Sequence, residues 1–255
     1  VLGGLLADTW GYRAAFLVTG SLLFLGGLTV WRFVEEDFVP PQPDEDVAES
    51  GLWYGLKLVI RDRSLVSLFS IRVIVRTATR LMGPVLPLFV QGLVPTSTRI
   101  ASLTGLISGA RAATSAAGAV TLGRASDRLG YRRVLLVCSA CVALLYVPQF
   151  FAQSPWQLFL LQGALGFVMS GILASISALL ANLAPEGHQG AVYGADSSAV
   201  AMANAVGAML GATIAAGLGI RVPFLLAAAM FAVATVLAWV LVPSKEQRTR
   251  PSPMG

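Results

Sequence analysis

Between Arg133 and Glu186 the chain runs 52 residues without one charged side chain. A helix of about 20 apolar residues crosses a hydrocarbon core of about 30 Å. The run is long enough for two crossings, and Gln153-Ser154-Pro155-Trp156 supplies the turn between them. Other charge-free stretches are Ala14–Trp31, Ser197–Ile220 and Val222–Ser244, of 18, 24 and 23 residues. Two further apolar segments, near 65–90 and 100–122, are interrupted by arginines. The pattern predicts seven spans, near 14–32, 65–91, 100–121, 133–152, 156–183, 195–219 and 222–242. Only 12% of the residues are charged and mean hydropathy is +0.74, where a soluble domain carries about 25% charge. A soluble enzyme, a disordered chain and a secreted disulfide scaffold are excluded. The predicted fold class is all-α, a polytopic membrane helical bundle.

The charges that remain orient the spans. With the C-terminus in the cytoplasm, inner loops hold Arg32, Lys57, Arg61, Arg63, Arg124, Arg128, Arg132, Arg133, Lys245, Arg248 and Arg250. The outer side holds Arg13, Arg99 and Arg221. Eleven against three is the asymmetry that inner loops carry. The net charge of +5 is therefore read as a topology signal, with no nucleic-acid partner. Cys138 and Cys141 lie three apart in one span and His188 lies in a loop. The cysteines read either as half a metal site or as small packing residues, and packing is the commoner role. With one histidine and two cysteines, no metal site, nucleophilic site or cofactor is expected.

Residues 2–17, LGGLLADTWGYRAAFL, recur as residues 210–225, LGATIAAGLGIRVPFL. At an offset of 208, Leu2, Gly3, Gly11, Arg13, Phe16 and Leu17 match Leu210, Gly211, Gly219, Arg221, Phe224 and Leu225. Each copy reads as the end of one span, a turn, and the start of the next. Five spans precede the second copy and none the first, so the repeat predicts about five more spans upstream and a protein of two six-span halves. Four regions follow: 1–34, the end of the N-terminal bundle; 35–64, a cytoplasmic linker; 65–242, a six-helix C-terminal bundle; 243–255, a cytoplasmic tail. Residues 35–50 hold seven acids and three prolines, which is linker composition. Leu52, Trp53, Leu56, Val59 and Ile60 form an apolar face at helical spacing. They read either as a helix lying on the inner leaflet or as a lead-in to the next span.

Residues 123–133, GRASDRLGYRR, set Gly123, Asp127, Arg128, Gly130 and Arg132 in a short basic turn between two spans. Gly123 would let the helix end approach a neighbour, and Asp127 needs a partner such as a helix N-terminus. This turn resembles the cytoplasmic signature of the major facilitator superfamily, of the G-x-L-A-D-R-x-G-R-K type, at its weaker position between spans 8 and 9. Ala125 and Ser126 replace the usual Leu-Ala. Gly3-Gly4 and the Gly207–Gly211 segment are similar to the glycine-rich span motif of the drug:proton antiporter branch. GGLLADTWGYRAAFLVTGSLLFLGGL followed by FVEEDF resembles the twelve-span multidrug and tetracycline efflux group. The resemblance covers essentially the whole chain as the last seven of twelve spans. It implies a rocking secondary transporter in the bacterial inner membrane, acting as a monomer when intact, with protons as coupling ion and a small-molecule substrate. It implies that Asp127, with Arg128 beside it, latches the cytoplasmic ends of the two halves. Gly207, Gly211 and Ala215 are expected to pack their span tightly against another.

Arg72, Arg76 and Arg80 stand at i, i+4 and i+8 on one stripe, and Arg111 falls in mid-span. An arginine at a span centre costs roughly 2.5–3.5 kcal/mol on insertion scales. Arg76, Arg80 and Arg111 therefore face the bundle or water, whereas Arg72 is near enough to the inner end to snorkel. Two readings stay open. They line a cavity with Asn204, Gln91 and Gln162 and meet substrate, or they pair structurally with acids of the other half. Asp196 is the one acid within these spans, so the proton carrier is expected upstream. Export of drugs or amphipathic molecules by proton antiport is the leading function. Transport of anionic metabolites, organic acids or sugar phosphates, is the alternative that the arginines motivate. A seven-span receptor fits the span count but not the repeat, and an intramembrane enzyme lacks a cluster of acids and histidines.

Overall fold

The computed structural model describes residues 2–33, 60, 63–94, 100–183 and 189–241. The acidic linker 35–50, the apolar face at 52–59, His188 and the tail 243–255 lie outside the described residues. Seven helices make up the described chain: α1 Leu2–Phe33, α2 Arg63–Leu93, α3 Ile100–Leu129, α4 Tyr131–Phe150, α5 Pro155–Leu183, α6 Gln189–Leu218 and α7 Val222–Leu241. Six are long and apolar enough to cross a membrane; α3, with Arg111 in its middle, is the exception by composition. No strand is present among the described residues.

Helix ends fall where local chemistry stops the ladder. Ser154 and Gln157 form a capping box at the start of α5: the Gln157 amide nitrogen donates to Ser154 Oγ at 3.3 Å, and Gln157 Oε1 accepts from the Gln153 and Ser154 amides. Pro155 occupies the first helical position, where its missing N–H costs nothing. The turn foreseen at 123–133 is shorter than its sequence suggested. Nothing in Arg124-Ala-Ser-Asp-Arg-Leu breaks a helix, so α3 continues to Leu129 and the connection shrinks to Gly130 at φ 93°.

The repeat has a structural counterpart. Among the described residues the positive-φ positions are Gly11 (83°), Gly130 (93°) and Gly219 (104°). Gly11 and Gly219 are equivalent at the offset of 208. Gly219 ends α6, and Gly11, non-helical at φ 83° and ψ 165°, parts α1 into two helical stretches. An L-residue pays steric strain at such a φ, so the same residue type stands at both turns.

α2 to α7 surround one apolar core led by Leu68, Ile71, Leu81, Leu135, Tyr146, Leu165, Phe224 and Phe231. Tyr146 of α4 stacks on Phe231 of α7, and Phe89 of α2 meets Phe224 of α7 edge-on. Backbone-close seams run between α3 and α5 and between α2 and α6. A Cβ on Gly118 would meet Phe167 and Ser170, and one on Gly166 would strike the Arg111 carbonyl. Thr114 Oγ1 crosses the first seam to the Gly163 carbonyl at 2.7 Å. α1 touches the rest mainly through its first part on α3, where Gly4 abuts the Ala101 backbone and the Ser102 amide donates to Asp8 Oδ2 at 2.7 Å. Beyond Gly11, α1 shows exposed apolar side chains such as Phe16 and Trp31.

Candidate functional site: a polar row between α2 and α6

α2 and α6 approach through glycine. A Cβ on Gly207 would lie against the Thr77 carbonyl and Arg80 Cβ, and one on Gly211 would collide with the Leu81 carbonyl. Small residues let two backbones come this close in lipid. The same closeness brings short reaches between polar groups on facing stripes. Arg72 Nε lies 2.8 Å from Asp196 Oδ1, both side chains being largely buried at 15% and 7% exposure. Eight residues along, Arg80 Nε donates to Asn204 Oδ1 at 3.1 Å. Arg76 sits between them, half-buried, with Arg72, Arg80 and Asp196 in electrostatic reach. Its buried Nε, like Arg72 Nε, makes no hydrogen bond among the described residues, and Arg72 differs in having the Asp196 carboxylate as a counterion.

The row collects three cations and one carboxylate in the apolar part of the bundle. An arginine stays charged under all ordinary conditions. Facing lipid, three of them would make insertion strongly unfavourable. Turned toward α6, Arg72 gains a counterion and Arg80 an amide oxygen, and Arg76 gains neither. Among the described residues the carboxylates are Asp8, Asp127 and Asp196. Asp196 is the one of them that faces this row.

Arg111 belongs elsewhere. Its Nη1 reaches Gln162 Oε1 at 3.5 Å, a long hydrogen bond. Gln162 Nε2 donates to Gln149 Oε1 at 3.0 Å, and Gln149 Nε2 to the Leu145 carbonyl at 3.0 Å. Both glutamines are fully buried. The chain of amides runs from α3 through α5 to α4 and includes no residue of the α2–α6 row. The arginines grouped as one cavity set thus divide: Arg76 and Arg80 share a row with Asn204, and Arg111 heads a separate amide chain with Gln162. Gln91 is exposed near the end of α2 and joins neither group. Arg72, read from the sequence as near the inner end of its span, pairs with Asp196.

The Gly130 turn has its own partners. The Tyr131 hydroxyl donates to Asp127 Oδ1 at 2.9 Å. Arg132 Nη2 donates to the Trp239 carbonyl at 2.6 Å, a cation on the last turn of α7, where orphan carbonyls concentrate negative charge. Asp127 and Arg128 are exposed. A Cβ on Gly123 would meet nothing within 4 Å among the described residues. At the opposite end Arg221 Nη1 donates to the Phe150 carbonyl at 3.0 Å and lies 5.6 Å from the centre of the Phe89 ring. No group of three or more metal-ligating side chains occurs among the described residues.

Sequence reasoning missed the Arg72–Asp196 pair and the α3–α5 seam. Asp196 alone could have flagged the first, since an acid in a span needs a cation. Gly163-Ala-Leu-Gly166 could have flagged the second.

Known proteins carry the same sequence pattern. The chain is 31% identical over 237 residues to the Multidrug resistance protein MdtG of Salmonella paratyphi B (strain ATCC BAA-1250 / SPB7). It matches the proteins of that name from Salmonella newport (strain SL254) and Salmonella typhi to the same extent. Each alignment covers 93% of this chain, and the chain spans 58% of the length of these curated relatives. Residues 68–254 match the Major Facilitator Superfamily, a stretch that takes in nearly all of the six-helix bundle α2–α7. Helices, the repeated glycine turn, the basic Gly130 turn and these matches agree: the chain belongs to the Major Facilitator Superfamily.

Proposed function

We propose that the whole protein is a secondary transporter that exports drugs or other small amphipathic molecules in exchange for protons. Two six-span halves would rock about a central site open to one side at a time. The observation that carries this reading is the likeness to multidrug resistance proteins over 93% of the chain. The α2–α6 row supports it from the geometry, because charge is kept inside an apolar bundle only where it has work or a partner. In this reading residues 1–34 close the first bundle, 35–64 link the two, 65–242 form the second and 243–255 are a tail. Arg76, Arg80 and Asn204 face the path, Arg111 and Gln91 flank it, and Gly207 and Gly211 hold α6 on α2. Asp127 and Arg128 act with Gly123, Gly130 and Arg132 as the latch between the halves. The protein would sit in a bacterial inner membrane as a monomer, its C-terminus in the cytoplasm.

The test is transport by the whole protein in liposomes under an imposed proton gradient. Gradient-driven movement of a cationic dye such as ethidium, abolished by a protonophore, is the expected result. No gradient-driven movement of any amphipathic compound would refute the reading. Arg76, which has no partner among the described residues, favours a second reading, a carrier of anionic metabolites such as organic acids or sugar phosphates. Competition by such anions, lost in Arg76→Ala, would select it.

A further inference from the structure

The start of α3 is capped from another part of the chain. Ser102 is the third residue of α3, and its amide is one of the first four that find no acceptor inside a helix. It donates to Asp8 Oδ2 at 2.7 Å, a carboxylate 94 positions earlier on α1. The first turn of α3 carries no acid of its own, so the negative charge that favours a helix start comes from α1. Beside this bond Gly4 lets α1 lie directly on the Ala101 backbone. The repeat isolates the role of Asp8. At the offset of 208 its equivalent is Ala216, and the turn that follows, at Gly219, forms without an acid. Asp8 is therefore not needed for the glycine turn that it precedes.

We infer that Asp8 is a positioning residue for transport: it caps α3 in trans and so holds the outer ends of the two halves together while the protein faces inward. The inference rests on the reading above, in which α1 closes the first half, α3 belongs to the second and the α3 start lies at the outer end. A cap made within one helix survives any rigid-body motion of that helix. A cap made across two helices lasts only while they touch, so it stabilises the touching state and no other. Its loss shifts the population toward the state in which α1 and α3 part. The bond is also one that a working cycle can break. Water replaces both partners when the seam opens, so the net strength of such a bond is modest although its donor meets a charged acceptor. Opening exposes the Ser102 hydroxyl as well, whose Oγ is buried in the closed seam.

The experiment places Ser102→Cys in the whole protein in liposomes, with the other cysteines replaced, and adds a membrane-impermeant maleimide to one side at a time. The substitution keeps the donating amide and puts a thiol where Oγ is buried. A second reporter keeps Cys138 alone, in the bundle core. Asp8→Ala is expected to speed outer labelling of the Ser102→Cys reporter at least about fivefold and to leave Cys138 unreactive. Asp8→Asn, which keeps an oxygen acceptor and loses the charge, falls between. Gly4→Ala pushes α1 off the Ala101 backbone and should act in the same direction, whereas Gly3→Ala, with open space at its Cβ, should label like the parent. A reactive Cys138 marks an unfolded variant, and Asp8→Asn then decides, at no less than about twofold. Parent-like labelling in the deciding variant, or an equal rise from both sides, overturns the inference. If proton-driven export fails while outer labelling responds to Asp8, the transport reading falls and the cap between α1 and α3 stands. If export holds and labelling does not respond, the cap alone falls.

Discussion

Removing the Asp196 carboxylate should damage the bundle more than removing its partner. Arg72 and Asp196 are 2.8 Å apart at the contacting atoms and largely buried. With charge centres about 4 Å apart and an effective dielectric of about 20, the attraction is about 4 kcal/mol. Neighbouring arginines on the stripe are one helical turn apart, about 6 Å, and repel by about 3 kcal/mol on the same scale. Asp196→Asn deletes the attraction and leaves the repulsion, with Arg72 and Arg76 both stranded. Breaking a buried pair in this way costs about 3–5 kcal/mol. Arg72→Met removes one repulsive cation and leaves Asp196 within reach of Arg76, so its cost should be smaller, about 1–2 kcal/mol. The double variant Arg72→Met/Asp196→Leu replaces the pair by hydrocarbon and should return to within about 1 kcal/mol of the parent. Reversible unfolding by SDS in mixed micelles, followed by tryptophan fluorescence, gives the three differences and their coupling. Equal losses in the two single variants, or a double variant weaker than either, would refute the account of the row.

Three further outcomes follow from the geometry. Gly211→Leu drives a side chain into the Leu81 carbonyl, so α6 must leave α2; thermal stability should fall by more than the 1–3 kcal/mol typical of overpacking, and Gly3→Leu, with open space at its Cβ, should change it little. Gly130→Ala forces a Cβ into φ 93° and should cost about 1–2 kcal/mol in the same unfolding assay, with Gly123→Ala near neutral or stabilising because its Cβ meets open space. Arg132→Gln loses the cation on the α7 carbonyl and should cost about 0.3–1 kcal/mol, shrinking as salt is raised.

The helices and the turn glycines were legible in the sequence because each depends on local chemistry. Charge-free runs of span length set α4, α5 and α7 within a few residues, and a capping box with proline marks the start of α5. Gly11 and Gly219 were legible as a repeat because their backbone conformation restricts the residue type. The extent of α3 was misjudged because basic residues suggested a loop, although nothing in Arg124–Leu129 opposes helix. The row was half legible. Spacing put three arginines on one stripe, but their partners lie 124 residues away and depend on how α6 sits against α2. Arg111 was grouped with Arg76 and Arg80 by composition; it is separated from them because Gly166 seats its carbonyl against α5.

That register makes the row a vernier. Slide α6 by one helical turn, about 5.4 Å, in either direction. One slip sets Arg76 against Asp196 and leaves Arg72 and Arg80 facing Val192 and Val200. The other sets Arg76 against Asn204 and leaves Arg72 and Arg80 facing Val200 and Ala208. Only the observed alignment provides polar partners for two of the three cations. Charge that would be a liability in lipid becomes a detent, and it holds two parallel, nearly featureless apolar helices at a single axial position where shape alone would let them slide.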